Sequence, residues 1–230
     1  MKKIDFQTTT VARFHRQIVA TTLLLLSACW SLLSYADDEK VSYPPITPSE
    51  SIIFAKQSLA PWQPFVGSAE NWMVPHYDPQ TSTVDGEKVT VSLQEDSKIG
   101  DHLKIEWRGQ LGQFVWQSAE PKDYQALSDQ NGAITMALKV EQKPSKKVDL
   151  KMDCGYPCAG SMDMTKLFQS LPLNQWVRIS VNLSCFDKAG ADLSKISAPL
   201  VLATEGKFTI SFLDVRLITN APKETLAKCS

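Results

Sequence analysis

From Ile134 to Val140 every second residue is a large apolar one: Ile134, Met136, Leu138 and Val140. A period of two sends successive side chains to opposite faces of an extended chain, so this run fits a strand with one buried face and fits no helix. The same period recurs at Val89, Val91 and Leu93, and at Leu103, Ile105 and Trp107. It returns at Phe114 and Trp116, at Val148, Leu150 and Met152, and at Val177, Ile179, Val181 and Leu183. The last run places Phe208, Ile210 and Phe212 on one face and then switches parity to Leu213, Val215 and Leu217, which predicts a bulge near Asp214. One helix interrupts the pattern. Asp163 is its N-cap, Met164, Leu167, Phe168 and Leu171 fall at helical spacing, and Pro172 stops it. Seven or eight short strands, one short helix and no βαβ unit make this an all-β chain, a β-sandwich.

The N-terminus reads as an export signal over residues 1–36. Lys2, Lys3, Arg13 and Arg16 precede an apolar run from Ile18 to Leu33, and Ser34-Tyr35-Ala36 offers a small-x-small cleavage site. The run is short and broken by Ser and Thr, a poor fit to a membrane-spanning anchor. Leu26-Ser27-Ala28-Cys29 also has the lipobox pattern, which would anchor the mature chain through a lipid on Cys29, whereas Trp30 to Leu33 continue the apolar run past it. Either processing route exports the chain, to the periplasm or beyond.

Removal of residues 1–36 leaves 20 basic against 24 acidic residues, net −4. That balance argues against nucleic acid or an anionic membrane surface as partner, and no transmembrane span is expected in the mature chain. Its length suits one domain. Residues 37–51, with Tyr43-Pro44-Pro45 and Thr47-Pro48, read as a flexible lead-in, residues 52–219 as the domain and 220–230 as a polar tail. The stretch from Ile52 to Asp85 has little regular period and is expected to be an extended segment wrapped onto the core.

Four cysteines follow the signal: Cys154, Cys158, Cys185 and Cys229. In an oxidising compartment an even count points to disulfides, with three pairings open. Cys154 is expected to bond Cys158 or Cys185, with Cys229 left unpaired in the tail. The C-x₃-C spacing is neither redox motif nor zinc knuckle, and the mature chain has only His76 and His102 to add.

Met152-Asp-Cys-Gly-Tyr-Pro-Cys-Ala-Gly160, Leu171-Pro-Leu-Asn-Gln-Trp-Val-Arg-Ile-Ser-Val-Asn-Leu-Ser-Cys-Phe186, Ala189-Gly-Ala-Asp-Leu-Ser194 and Phe208-Thr-Ile-Ser-Phe-Leu-Asp-Val-Arg-Leu217 together resemble the ExoP-type galactose-binding-like domain. That domain is found at the C-terminus of some bacterial family 3 glycoside hydrolases (exo-β-glucanases and β-glucosidases). The resemblance spans roughly residues 52–219 and implies a galactose-binding-like jelly-roll sandwich. In the full enzymes the catalytic residues sit in preceding domains for which this chain has no room, so it implies a non-catalytic module. The partner it implies is a glycan, β-glucan or a related one, or a glycoside hydrolase that the module assists. Some sandwiches of this kind carry a structural Ca²⁺; no cofactor is read from the residues themselves.

Sugar binding needs flat rings against a pyranose face, with polar groups fixing the hydroxyls. The available rings are Trp62, Trp72, Trp107, Trp116, Tyr156 and Trp176. Trp107 and Trp116 share the parity of their strands' apolar residues and are assigned to the core. Trp176 has the opposite parity to Val177 and Ile179 and stands beside Arg178 and Asn182, while Trp72 and Tyr156 fall in irregular segments, where ligand contacts concentrate. The candidate ligand-binding residues are therefore Trp72, Tyr156, Trp176 and Arg178. Asp149 and Asp153 alternate with Lys151 on one strand face, a solvated face and not a catalytic carboxylate pair. No catalytic residue is assigned. The competing expectation is a structural or protein-interaction module of the cell envelope that has lost its sugar site.

Overall fold

The computed structural model describes residues 51–69, 71–72, 74–75, 81–84 and 88–229. The signal with Cys29, the lead-in before Ser51, and His76 lie outside the described residues. Among those described, the chain runs through β1 (Ser51–Ala55), β2 (Gln57–Ser58), β3 (Gln63–Ser68), β4 (Val74–Pro75), β5 (Thr81–Val84), β6 (Val89–Gln94), β7 (His102–Arg108) and β8 (Gly112–Gln117). A short helix α1 (Gln125–Asp129) leads to β9 (Ala133–Gln142), β10 (Val148–Asp153) and β11 (Ala159–Asp163). Helix α2 (Thr165–Ser170), β12 (Trp176–Asn182), α3 (Leu183–Lys188), β13 (Ala198–Thr204) and β14 (Lys207–Ile218) complete the order.

These strands form two antiparallel sheets. The larger has eight strands in the order β12-β9-β14-β7-β6-β5, with β1 added to β14 and β2 to β1; the smaller has six in the order β11-β10-β13-β8-β3-β4. Of the predicted apolar residues, all but Leu93 and Leu213 join one contiguous core or pack against it. Trp116 of the smaller sheet meets Phe212 of the larger at 5.8 Å between ring centroids and Phe54 at 5.5 Å, so aromatic rings span the gap between the layers. Trp107 and Trp116 are buried as expected. Each indole N–H is satisfied, by the Gly112 carbonyl at 3.0 Å and the Ser58 hydroxyl at 2.8 Å.

Four expectations need correction. The segment after Ile52 does not simply wrap the core: it supplies β1 to β5, paired into both sheets. β13 was invisible to a period-two pattern because all seven of its residues are buried, on both faces. Among the described residues there are three short α-helices, not one. Leu183, grouped by parity with β12, instead opens α3, where it, Cys185 and Phe186 are buried. Asp163 ends β11, and its carboxylate accepts the Thr165 amide at 2.9 Å, so it holds the start of α2 from one residue further out than an N-cap. The fourth concerns Cys229. It is bonded to Cys185, while Cys154 takes Cys158. The tail runs back along the free edge of β12, where the Ala227 amide donates to the Ser180 carbonyl at 2.8 Å, and this brings Cys229 over α3.

Candidate functional site

The outward face of the larger sheet is polar across its width. Register places Trp176 opposite Lys139, Lys139 opposite Ser211, Ser211 opposite Lys104, and Lys104 opposite Ser92. A second row holds Arg178, Ala137 and Asp214, and a third Ser180, Thr135 and Arg216. The predicted bulge builds the second and third rows. Pairing of β14 with β9 slips by one residue between Phe212 and Asp214. Without the slip Asp214 and Arg216 would follow Phe212 into the core; with it Val215 and Leu217 turn inward and the two charged residues turn out.

Two carboxylates organise this face. Glu141 accepts Lys104 Nζ at 2.8 Å, Lys139 Nζ at 3.0 Å and the Ser211 hydroxyl at 2.8 Å. Its partial burial favours the protonated acid, but the two ammonium groups and the hydroxyl outweigh it and bring the pKa down to about 2. Asp214 is fully buried. It accepts Arg216 Nε at 3.0 Å on both oxygens and Arg216 Nη2 at 2.6 Å, while Arg178 Nη1 reaches its Oδ2 at 3.1 Å. The carboxylate is thus committed to the buried Arg216, and Arg178 shares one oxygen through one nitrogen.

Trp176 is partly exposed and held from two sides. His102 meets it edge-on with centroids 5.1 Å apart, and Lys139 Nζ lies 5.0 Å from its ring centroid. Burial holds the His102 imidazolium down, so its pKa falls below the usual histidine value despite the Gly100 carbonyl at 3.4 Å from Nδ1.

The four predicted site residues do not share a surface. Trp176 and Arg178 stand together, two residues apart on the outer face of β12. Trp72, 51% exposed, sits between β3 and β4 of the smaller sheet, its carbonyl accepting the Gln113 amide at 2.8 Å. A Cβ on Gly67 would stand 1.9 Å from that carbonyl, so only glycine lets the Trp72 backbone cross there. Tyr156 is fully exposed at the tip of the Cys154 to Cys158 loop joining β10 to β11. That loop leaves β10 level with Ala198 at the start of β13, whereas β3 ends at Ser68, level with Gly112 and Thr204 at the end of β13. Trp72 and Tyr156 are therefore at opposite ends and opposite edges of the smaller sheet.

Sequence reasoning missed His102, Lys104, Lys139, Glu141, Asp214 and Arg216. Their common signal was present: each is a polar residue on the outward parity of a strand whose inward parity is apolar. Asp149 accepts Lys147 Nζ at 2.8 Å, and Asp153 accepts the Gly155 amide at 2.7 Å, roles of a strand face and a turn. Among the described residues no group of three or more His, Cys, Asp or Glu side chains is disposed to hold a metal. Among those residues, too, no helix is long and apolar enough to cross a membrane.

Known proteins share this fold. The extra C-terminal domain of exo-1,3/1,4-beta-glucanase (ExoP) from a Pseudoalteromonas species superposes with a TM-score of 0.65 at 13% identity, covering 78% of this chain and 98% of that domain. Against the whole ExoP enzyme the match spans 23% of the enzyme's length. The family 30 carbohydrate-binding module of a cellulosomal cellulase from Clostridium thermocellum gives 0.53 at 15% identity, covering 75% of this chain and 99% of that one. At such identities the likeness is one of fold. Comparison with the curated proteins returns no match. The Exop_C family model, described as galactose-binding domain-like, matches residues 60–217, and the chain belongs to that family.

Proposed function

We propose that this chain is an exported, non-catalytic carbohydrate-binding module for β-glucan or a related glycan, and that its glycan face is the outer face of the larger sheet. The observation that carries this is Trp176, an indole partly open to solvent and fixed by His102 and Lys139, on a face whose charged groups are already oriented by Glu141 and Asp214. A ring held in place loses little conformational entropy when a pyranose stacks on it, and pre-oriented donors and acceptors serve the hydroxyls. Export rests on the basic, apolar N-terminus together with the two disulfides, which persist in oxidising compartments. A glycoside hydrolase is the natural partner, with the module holding the enzyme on its polymer. In this reading residues 1–36 are removed and residues 52–219 form the binding domain.

Pull-down of residues 37–230 on insoluble and soluble β-glucans tests the reading. Saturable retention is expected. A folded protein that no glycan retains would favour a second reading, a structural or interaction module of the envelope, which the mutual satisfaction of Lys104, Lys139 and Glu141 supports.

A further inference from the structure

Among the described residues, the outer face of the larger sheet carries more basic than acidic side chains, although the mature chain is acidic. Glu141 is one carboxylate serving two ammonium groups, Lys104 and Lys139, whose side chains are 33% and 19% exposed. Beside them Arg178, 26% exposed, has only the second claim on Asp214, whose oxygens Arg216 already takes. Another ion pair on this face, Glu106 with Arg108, joins one charge of each sign. At the turn beyond β6, Asp96 is turned to the backbone amides of Lys98 and Ile99 at 2.8 and 3.2 Å and does not reach the lysines by hydrogen bond. His102 stands among these groups and, kept neutral by burial, adds no charge near neutral pH.

From this arrangement we infer that the glycan taken by this face is acidic, a uronate-bearing chain, with Arg178 as the carboxylate contact beside the Trp176 ring. The inference rests on the glycan-binding reading above and narrows it. A guanidinium with one nitrogen tied down and its other donors turned to neither Asp214 nor another described residue keeps a planar fork for a sugar carboxylate. The adjacent ring offers an apolar surface on which the face of a pyranose can rest.

The test compares cello-oligosaccharides with cellouronates of equal length, which share the β-1,4 backbone and differ in the C6 carboxylates. Binding of residues 37–230 is measured by calorimetry at low and high salt, for the native protein and Arg178→Gln. The uronate is expected to bind about tenfold more tightly at low salt, with the advantage shrinking as salt rises and falling in R178Q. Equal or tighter binding of the neutral oligosaccharide would overturn the acidic assignment and leave the module standing. Binding of neither sugar would overturn both. A single-stranded oligonucleotide of similar charge that competes as well as the uronate would also defeat the inference, since the face would then collect anions of any kind. The salt dependence of the native protein decides the matter even if R178Q is poorly folded.

Discussion

Trp176 and His102 touch edge to face at 5.1 Å although β9 and β14 lie between their strands. Three strand spacings amount to about 14 Å in a flat sheet, so both side chains reach inward across a face that curves toward them. Lys139 and Ser211 lie on the row beneath that crossing. The contact therefore reports the state of the whole face. Acidification should protonate His102 only below the ordinary histidine pKa near 6.5, because burial depresses it. Trp176 emission, taken as the difference between the native protein and Trp176→Phe, is expected to change with a midpoint below that value and to lose the transition in His102→Gln. A midpoint above 6.5 would show that the Gly100 carbonyl and Glu141 outweigh burial.

Glu141 and His102 both contribute to the acid sensitivity of the fold. Glu141 has a folded-state pKa of about 2 against an ordinary 4.5, so its contribution is present above 4.5 and lost as pH falls toward 2. His102, depressed below 6.5, acts in the same direction: the unfolded chain takes the proton first, and stability falls as pH drops below 6.5. Urea midpoints should fall from pH 7 to pH 3. In Glu141→Gln the fall between pH 4.5 and pH 3 is expected to be shallower.

Asp214 should be among the least tolerant polar positions. It is buried beneath Arg216, itself 1% exposed. Asp214→Asn removes the charge shared by Arg216 and Arg178 and is expected to cost about 3–5 kcal/mol in urea unfolding, the range for breaking a buried ion pair. Replacing both, Asp214→Leu with Arg216→Met, should cost much less. If the single and double variants lose the same amount, packing and not charge pairing holds this corner.

The two disulfides are not equivalent. Cys185 to Cys229 closes a separation of 44 residues, and Cys154 to Cys158 only 4. Chain entropy predicts about 4 kcal/mol lost on opening the first and about 2 kcal/mol on opening the second. Paired serine variants compared by thermal unfolding check this. Opening the first should also release the tail from Ser180, seen as faster hydrogen exchange at the Ala227 amide.

The strands were legible in the sequence where one parity is apolar and the other polar: β6, β7, β9, β10 and β14, with the bulge before Asp214, follow from alternation alone, β14 even though both its faces are buried. β13 escaped because its interior is apolar on both parities and has no alternation to show. Leu183 kept the parity of β12 yet begins a helix, since parity cannot register where a backbone turns away. Trp176 and Arg178 were found because a large ring of the wrong parity stands out. Lys104, Lys139 and Glu141 were not, because charges on an outward parity look like an ordinary solvated face until the sheet order brings three strands together. Cys229 was misplaced for the same reason: its partner is set by the tail's return along β12, a relation absent from local sequence.

Affinity electrophoresis of residues 37–230 in β-glucan gels, comparing the native protein with Trp176→Ala and Trp72→Ala, tests the glycan face most directly. Retardation of the native protein and of Trp72→Ala, with free migration of Trp176→Ala, is the predicted result. Retardation that survives in Trp176→Ala and vanishes in Trp72→Ala would move the site to the edge of the smaller sheet and contradict the account.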